Sequence, residues 1–257
     1  MAATFENDPE FNDAIPKPTS GPGFRVVELL TVLGIIAFLI ALLLPATRSG
    51  VGPAARRSQC LNNLKQIALA LHNYEQAHEA LPPAYTVDAK GRPLHSWRTL
   101  ILPYLEQGPL YQSIDLSKPW DDPANAKALE AFVPIFHCPE AVGPQNTTTY
   151  LAIAGPNGCL IPKESRRLAE ITDAHESTLM VIEAGEENAV PWMAPVDASE
   201  SLVMSLGPAT KLHHAGGTNA GFVDGHVTFL KANTPASVRR AWISISGNDN
   251  EVVQGRK

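Results

Sequence analysis

The sequence predicts an α+β fold, in which a long N-terminal helix leads into a head built on an antiparallel β-sheet. Three observations carry that reading. Between Val26 and Leu44 the chain runs with a single charge, Glu28. From Cys60 through Leu64, Ile67, Leu71 and Tyr74 to His78, apolar and aromatic positions recur at alternating steps of four and three, the stripe of one buried helical face. From Gly221 to Leu230 two short apolar runs flank Asp224-Gly225, the pattern of a hairpin.

The first element is read as a membrane span. A helix over Val26 to Leu44 covers about 28 Å at the rise of an α-helix, close to the hydrocarbon thickness of a bilayer. A core helix of a soluble protein keeps a polar stripe, and LLTVLGIIAFLIALLL keeps none. A cleaved secretory signal fits poorly: the run is too long, no A-x-A site follows, and the residues ahead of it are acidic. Glu28 is the informative exception. A carboxylate in the apolar part of such a helix costs about 2.5–3.5 kcal/mol on insertion scales, unless it reaches the interface from its place near the helix start.

The next helix spans Ala54 to His78, and Pro82-Pro83 ends it. Pro45, Gly50, Gly52 and Pro53 kink or break its join to the first. Further on, Asp122-Pro123 is an N-cap followed by proline at the first helical position, opening a short helix to about Ala131. Thr147 to Ala154 and Thr178 to Ile182 read as strands. In the hairpin, Asp224-Gly225 is expected to be a two-residue type I′ loop, with Val227 and Phe229 facing the core and His226 and Thr228 facing out.

Composition excludes several function classes. A net charge of −6 over 257 residues argues against a nucleic-acid partner. Cys60, Cys138 and Cys159 form no C-x-x-C pair. Gly50-Val51-Gly52-Pro53-Ala54-Ala55 matches G-x-G-x-x-A in form, but no βαβ pattern surrounds it. No nucleophile elbow or Walker loop is present, so no catalytic residue and no cofactor are expected. His213, His214, His226 and Asp224 fit no standard metal spacing, and Asp224 is already explained by the turn. His214 is therefore expected to bond a loop carbonyl or the turn carboxylate, with no metal. Trp97, Trp120 and Trp192, if exposed together in a groove, suit a head that binds sugars or peptides.

Gly23-Phe24-Arg25-Val26-Val27-Glu28-Leu29-Leu30 resembles the processing site of type IV prepilins and type II secretion pseudopilins. CLNNLKQIALALHNYEQAHEALPPA, SWRTLILPYLEQGPLY, PWDDPANA, IFHCPE, ITDAHESTLMVIEAGE and HAGGTNAGFVDGHVTFL then follow in order. Together they resemble a bacterial family of prepilin-like proteins with a head domain of unknown function and a C-terminal H-X9-DG motif, here His214 and Asp224-Gly225. The resemblance implies a pilin-like fold whose N-terminal helix is half in lipid and half packed on the head. Its divisions are a leader at 1–23, a transmembrane half at 24–45, an extracytoplasmic half at 46–80 and an α+β head at 81–257.

The same resemblance implies a prepilin peptidase as partner, cutting between Gly23 and Phe24 and leaving Glu28 as the fifth residue. The amine so freed has a pKa of about 7.7–8.0 and is a cationic partner for Glu28, made between neighbouring subunits. It also implies a single-pass protein of the inner membrane with an extracytoplasmic head, in contact with lipid and with other pilin-like subunits. Cys60 and Cys138 match cysteines of the family pattern and are expected to pair as a disulfide, although three cysteines allow three pairings. Two features depart from the family. Residues 1–23 hold four acids against Lys17 alone, and Arg48, Arg56 and Arg57 follow the apolar run.

Overall fold

The computed structural model describes residues 26–43 and 52–247. The cleavage junction Gly23-Phe24, the leader, Pro45, Arg48 and Gly50 lie outside the described residues. The chain divides into two compact units, residues 1–50 and 51–257.

The first unit contains helix α1 (Val26–Leu43), charged only at Glu28, where Thr31 Oγ1 donates to the Glu28 carbonyl at 2.8 Å. At 18 residues it measures about 27 Å. Among the described residues no helix is long and apolar enough to cross a membrane.

The second unit opens with α2 (Pro53–His78), then β1 (Tyr85–Val87), β2 (Pro93–Ser96), α3 (Trp97–Leu100), α4 (Gly108–Gln112) and α5 (Ala126–Leu129). Strands β3 (Thr147–Thr148), β4 (Tyr150–Ala152), β5 (Leu179–Glu183) and β6 (Val190–Pro191) follow. Helix α6 (Glu200–Ser205), strands β7 (Gly217–Phe222) and β8 (Val227–Lys231), and α7 (Ala236–Ile243) complete it. The organising element is an antiparallel four-stranded sheet in the order β4-β5-β7-β8, with Leu151 opposite Ile182, Ile182 opposite Ala220, and Asn219 opposite Phe229.

Both faces of this sheet are covered. Helix α2 packs on one, where Leu64, Ile67 and Leu71 meet Tyr150, Ala152 and Val181. Helices α6 and α7 cover the other, where Val203 and Ile243 join Leu151, Ile182, Ala220 and Phe222. That is why Leu-Met-Val-Ile-Glu of β5 is buried at every position and shows no alternation.

Local chemistry accounts for the predicted elements. Pro53 begins α2 at the position where its missing N–H costs nothing, and Glu79 ends it in the left-handed region at φ 58°. Cys60, Leu64, Ile67 and Leu71 are fully buried, as the stripe requires. His78 is exposed instead, stacking on Tyr74 at 4.1 Å. The Asp122 carboxylate accepts from Ala124 N at 2.9 Å and caps a 3-10 turn, Pro123–Asn125, that runs into α5.

The hairpin differs from expectation. Gly225 has φ +88°, but Asp224 does not have a positive φ, so the loop is not a type I′ turn. Gly225 N bonds Phe222 O at 2.9 Å and Phe222 N bonds His226 O at 3.0 Å, closing a three-residue loop, Val223-Asp224-Gly225, with glycine at its left-handed position. Val223 is drawn into the loop because its side chain is needed in the core beneath α2. On β8, Val227 and Phe229 are half-buried, and Leu230 is the buried residue.

The tryptophans do not meet the condition of the binding-head alternative. Trp97 and Trp192 are core residues, 0% and 1% exposed. Their indole N–H groups donate inward, to Asp197 Oδ1 at 2.8 Å and to the Ala131 carbonyl at 3.2 Å. Trp120 is half-buried, so the three do not form an exposed aromatic groove.

Candidate functional site

At the interface of α2 with the sheet, four side chains converge: Cys60, Cys138, Glu183 and His214. One donor atom from each lies within 4.8 Å of all the others, and all four residues are buried. Cys60 sits on the inner face of α2. Cys138 follows the 3-10 turn Pro134–Phe136, and the turn is tied to α2 by Asn63 Nδ2, which donates to the Pro134 and His137 carbonyls at 3.3 and 3.1 Å. Glu183 ends β5. His214 precedes β7, where its carbonyl accepts from Gly217 N at 3.3 Å across Gly216 at φ +81°.

Cys60 and Cys138 are free thiols with their Sγ atoms 2.8 Å apart. Glu140 N donates to Cys138 Sγ at 3.4 Å. Asn219 Nδ2 donates to Glu183 Oε2 at 2.6 Å, and Thr218 Oγ1 donates to the Glu183 carbonyl. His214 Nε2 lies 3.3 Å from Glu183 Oε2. The contact has ion-pair distance without hydrogen-bond geometry: His214 Nε2 and Glu183 Oε1 are both buried with no hydrogen-bond partner.

The electrostatics are those of a mutually dependent cluster. Contact with the Cys138 thiol holds Cys60 down at about 7 against the upward push of burial. Cys138 is raised, by Cys60 first and by burial next. Burial pulls His214 down, but Cys60 and the Glu183 carboxylate outweigh it and raise the imidazole to about 9. For Glu183 burial pushes upward, and His214, Cys138 and Asn219 together hold it below the usual carboxylate range. Two thiols, a carboxylate and an imidazole so placed can hold a metal ion, or the two sulfurs can be joined by oxidation.

Of the residues singled out in the sequence, His214, Cys60 and Cys138 are brought together. His214 faces Glu183, while Asp224 accepts from His226, at 3.0 Å from its N and 2.6 Å from its Nδ1. His213 turns to Glu186, at 3.6 Å. The histidines thus serve three separate carboxylates, and the set considered from sequence is not a cluster. Glu183 was missed: it lies in the ITDAHESTLMVIEAGE block, and four of the six family-like blocks each supply one donor. Cys159 stands apart, fully buried, its thiol pushed up to about 12 by burial.

A second buried polar group lies between β2 and β4. Asp197 Oδ1 accepts from Trp97 Nε1 at 2.8 Å, Ala152 N at 3.0 Å and Arg98 Nη1 at 3.2 Å. Arg98 also donates to Ser96 Oγ at 2.6 Å and to the Val196 carbonyl at 2.8 Å. Burial raises Asp197 to about 6 against the pull of Arg98. This is an ion pair holding the β2–α3 corner to the sheet.

Residues 53–157 are similar to the family model SBP_bac_10, described as a protein of unknown function (DUF1559). The match runs from the start of α2 to just past β4 and includes Cys60 and Cys138. No curated protein and no solved structure matches the chain.

Proposed function

We propose that this chain is a pilin- or pseudopilin-like structural subunit, held in the inner membrane by its N-terminal helix with the α+β head outside. The observation that carries the reading is α1 itself. Its apolar side chains are exposed, among them Leu30 at 62%, Ile35 at 59% and Phe38 at 64%, and a helix of this composition is stable only in lipid or against similar helices. In the sequence the apolar run extends from Val26 to Leu44, 19 residues, within the range used by membrane spans. The Gly23-Phe24 junction ahead of it, with Glu28 five residues in, adds the processing signal. The family match over 53–157 agrees with the head of the prepilin-like family that the sequence blocks resemble.

In this reading Glu28 acts in assembly, pairing with the α-amino group of a neighbouring subunit. The test compares wild type with Glu28→Ala for incorporation into high-molecular-weight complexes in native membranes, alongside the melting temperature of each. Loss of incorporation with unchanged melting is expected. Equal incorporation would remove the assembly role and leave Glu28 reaching the interface. The head serves as a rigid body, and its function does not require catalysis.

A further inference from the structure

We propose that Cys60, Cys138, Glu183 and His214 form a closed, tetrahedral site for one divalent ion of the zinc type, which fastens α2 to the sheet. The site does not depend on the reading of α1.

The donor set points to the metal. Thiolate, imidazole and carboxylate in a two-one-one ratio suit a borderline-soft ion, and zinc binds such sets in tetrahedral geometry. Bonds of about 2.0–2.3 Å in that geometry place donors roughly 3.3–3.8 Å apart; the cluster already lies within 4.8 Å, and the two sulfurs, 2.8 Å apart, would have to separate by about 1 Å. All four positions come from protein and all are buried, so no place is left for water or substrate. That is the arrangement of a structural site and not of a catalytic one.

The unpartnered atoms point the same way. Glu183 is 1% exposed with Oε1 unpartnered, and His214 Nε2 is buried without a hydrogen bond. Among the described residues the ion pairs of Glu183 extend only to His214. A cation at the centre satisfies both atoms and both sulfurs at once. A disulfide between Cys60 and Cys138 uses the sulfurs alone and leaves Glu183 Oε1 and His214 Nε2 without a hydrogen bond.

The surroundings are those of a supported site. Asn219 holds the second oxygen of Glu183, and Glu140 N donates to Cys138 Sγ, the kind of outer contacts that orient ligands and favour thiolate. A surface cleft of about 200 Å³, lined by Pro53, Ala54, Arg57, Glu140 and His213, borders the site at His214. The four ligands come from α2, the turn after Pro134–Phe136, β5 and the segment before β7, so one ion joins four segments far apart in sequence.

The test uses the full chain, extracted in detergent without oxygen from cells grown with added zinc. Elemental analysis should find about one zinc per chain, and exchange for cobalt should give thiolate charge-transfer absorption with the visible bands of tetrahedral coordination. Cys60→Ser and His214→Ala should lose the ion, whereas Asp224→Ala and His226→Ala should keep it. Should Cys60→Ser fail to fold, Glu183→Gln keeps the shape of the side chain, and its zinc affinity should fall at least tenfold. Wild type containing a Cys60–Cys138 disulfide and no metal overturns the proposal. So does a metal-free dithiol that takes up no added zinc, or an ion retained in all of these variants.

Discussion

Replacing Asp197 by alanine tests the packing of the head where its energetics are least forgiving. The Asp197 side chain is 3% exposed, its partner Arg98 is 0% exposed, and Oδ1 gathers three donors. Breaking such a pair by removing one partner leaves an uncompensated buried charge and costs about 3–5 kcal/mol. Trp97 Nε1 and Ala152 N lose their acceptor as well, at about 1–3 kcal/mol each if they stay dry. Against a domain stability of about 5–15 kcal/mol, Asp197→Ala should be marginally folded. Arg98→Met should cost less, because the stranded Asp197 can take up a proton, and its penalty should shrink between pH 8 and pH 5. The double variant should cost less than the sum of the singles by about 0.5–3 kcal/mol. Urea unfolding of the full chain in detergent, followed by tryptophan fluorescence, measures all three. Asp197→Ala within 1 kcal/mol of wild type, or simple additivity, would show that the pair contributes nothing specific.

Three further outcomes are expected. Gly225→Val should destabilise by more than about 1 kcal/mol, since φ +88° strains a β-branched residue; an unchanged urea midpoint would contradict the turn assigned here. Leu64→Ala, at a fully buried position of α2, should cost about 2–5 kcal/mol, and a cost below 1 kcal/mol would mean that the stripe is not packed on the sheet. The third concerns pH. Asp197 has its carboxyl near 6 when folded against 3.8 when free, so the folded chain holds that proton more tightly. Its contribution is complete below about pH 3.8 and is lost as pH rises through 6. The melting temperature of wild type relative to Asp197→Asn should therefore fall across that window and stay level above it; a rise would reverse the sign of the shift.

Elements whose signal is local were legible in the sequence. The stripe from Cys60 to His78, with Pro82-Pro83 beyond it, located α2 to within a residue, and Asp122-Pro123 located the N-cap of the turn that runs into α5, because capping and periodicity act over one or two turns. The hairpin was found but its turn was not: core packing drew Val223 into the loop, a tertiary demand that no dipeptide preference carries. Helices α6 and α7 were missed for a similar reason, since at six and eight residues they are too short to show a period and are held by the sheet they cover.

The site shows the same division. Asp224 was tied to His214 by the nine-residue spacing of a motif, yet His214 meets Glu183 from a strand 31 residues earlier, through pairing of β5 with β7. Though near one another in sequence, His213, His214 and His226 are directed by the fold to three separate carboxylates. Trp97 and Trp192 could form a binding surface only if exposed, and each indole N–H instead finds a partner inside, which removes the cost of burying it.

N-terminal sequencing of the chain recovered from native membranes tests the proposed function most directly. A mature protein beginning at Phe24, with Glu28 as its fifth residue, is the predicted result. A membrane-bound chain that still begins within residues 1–20 would contradict it.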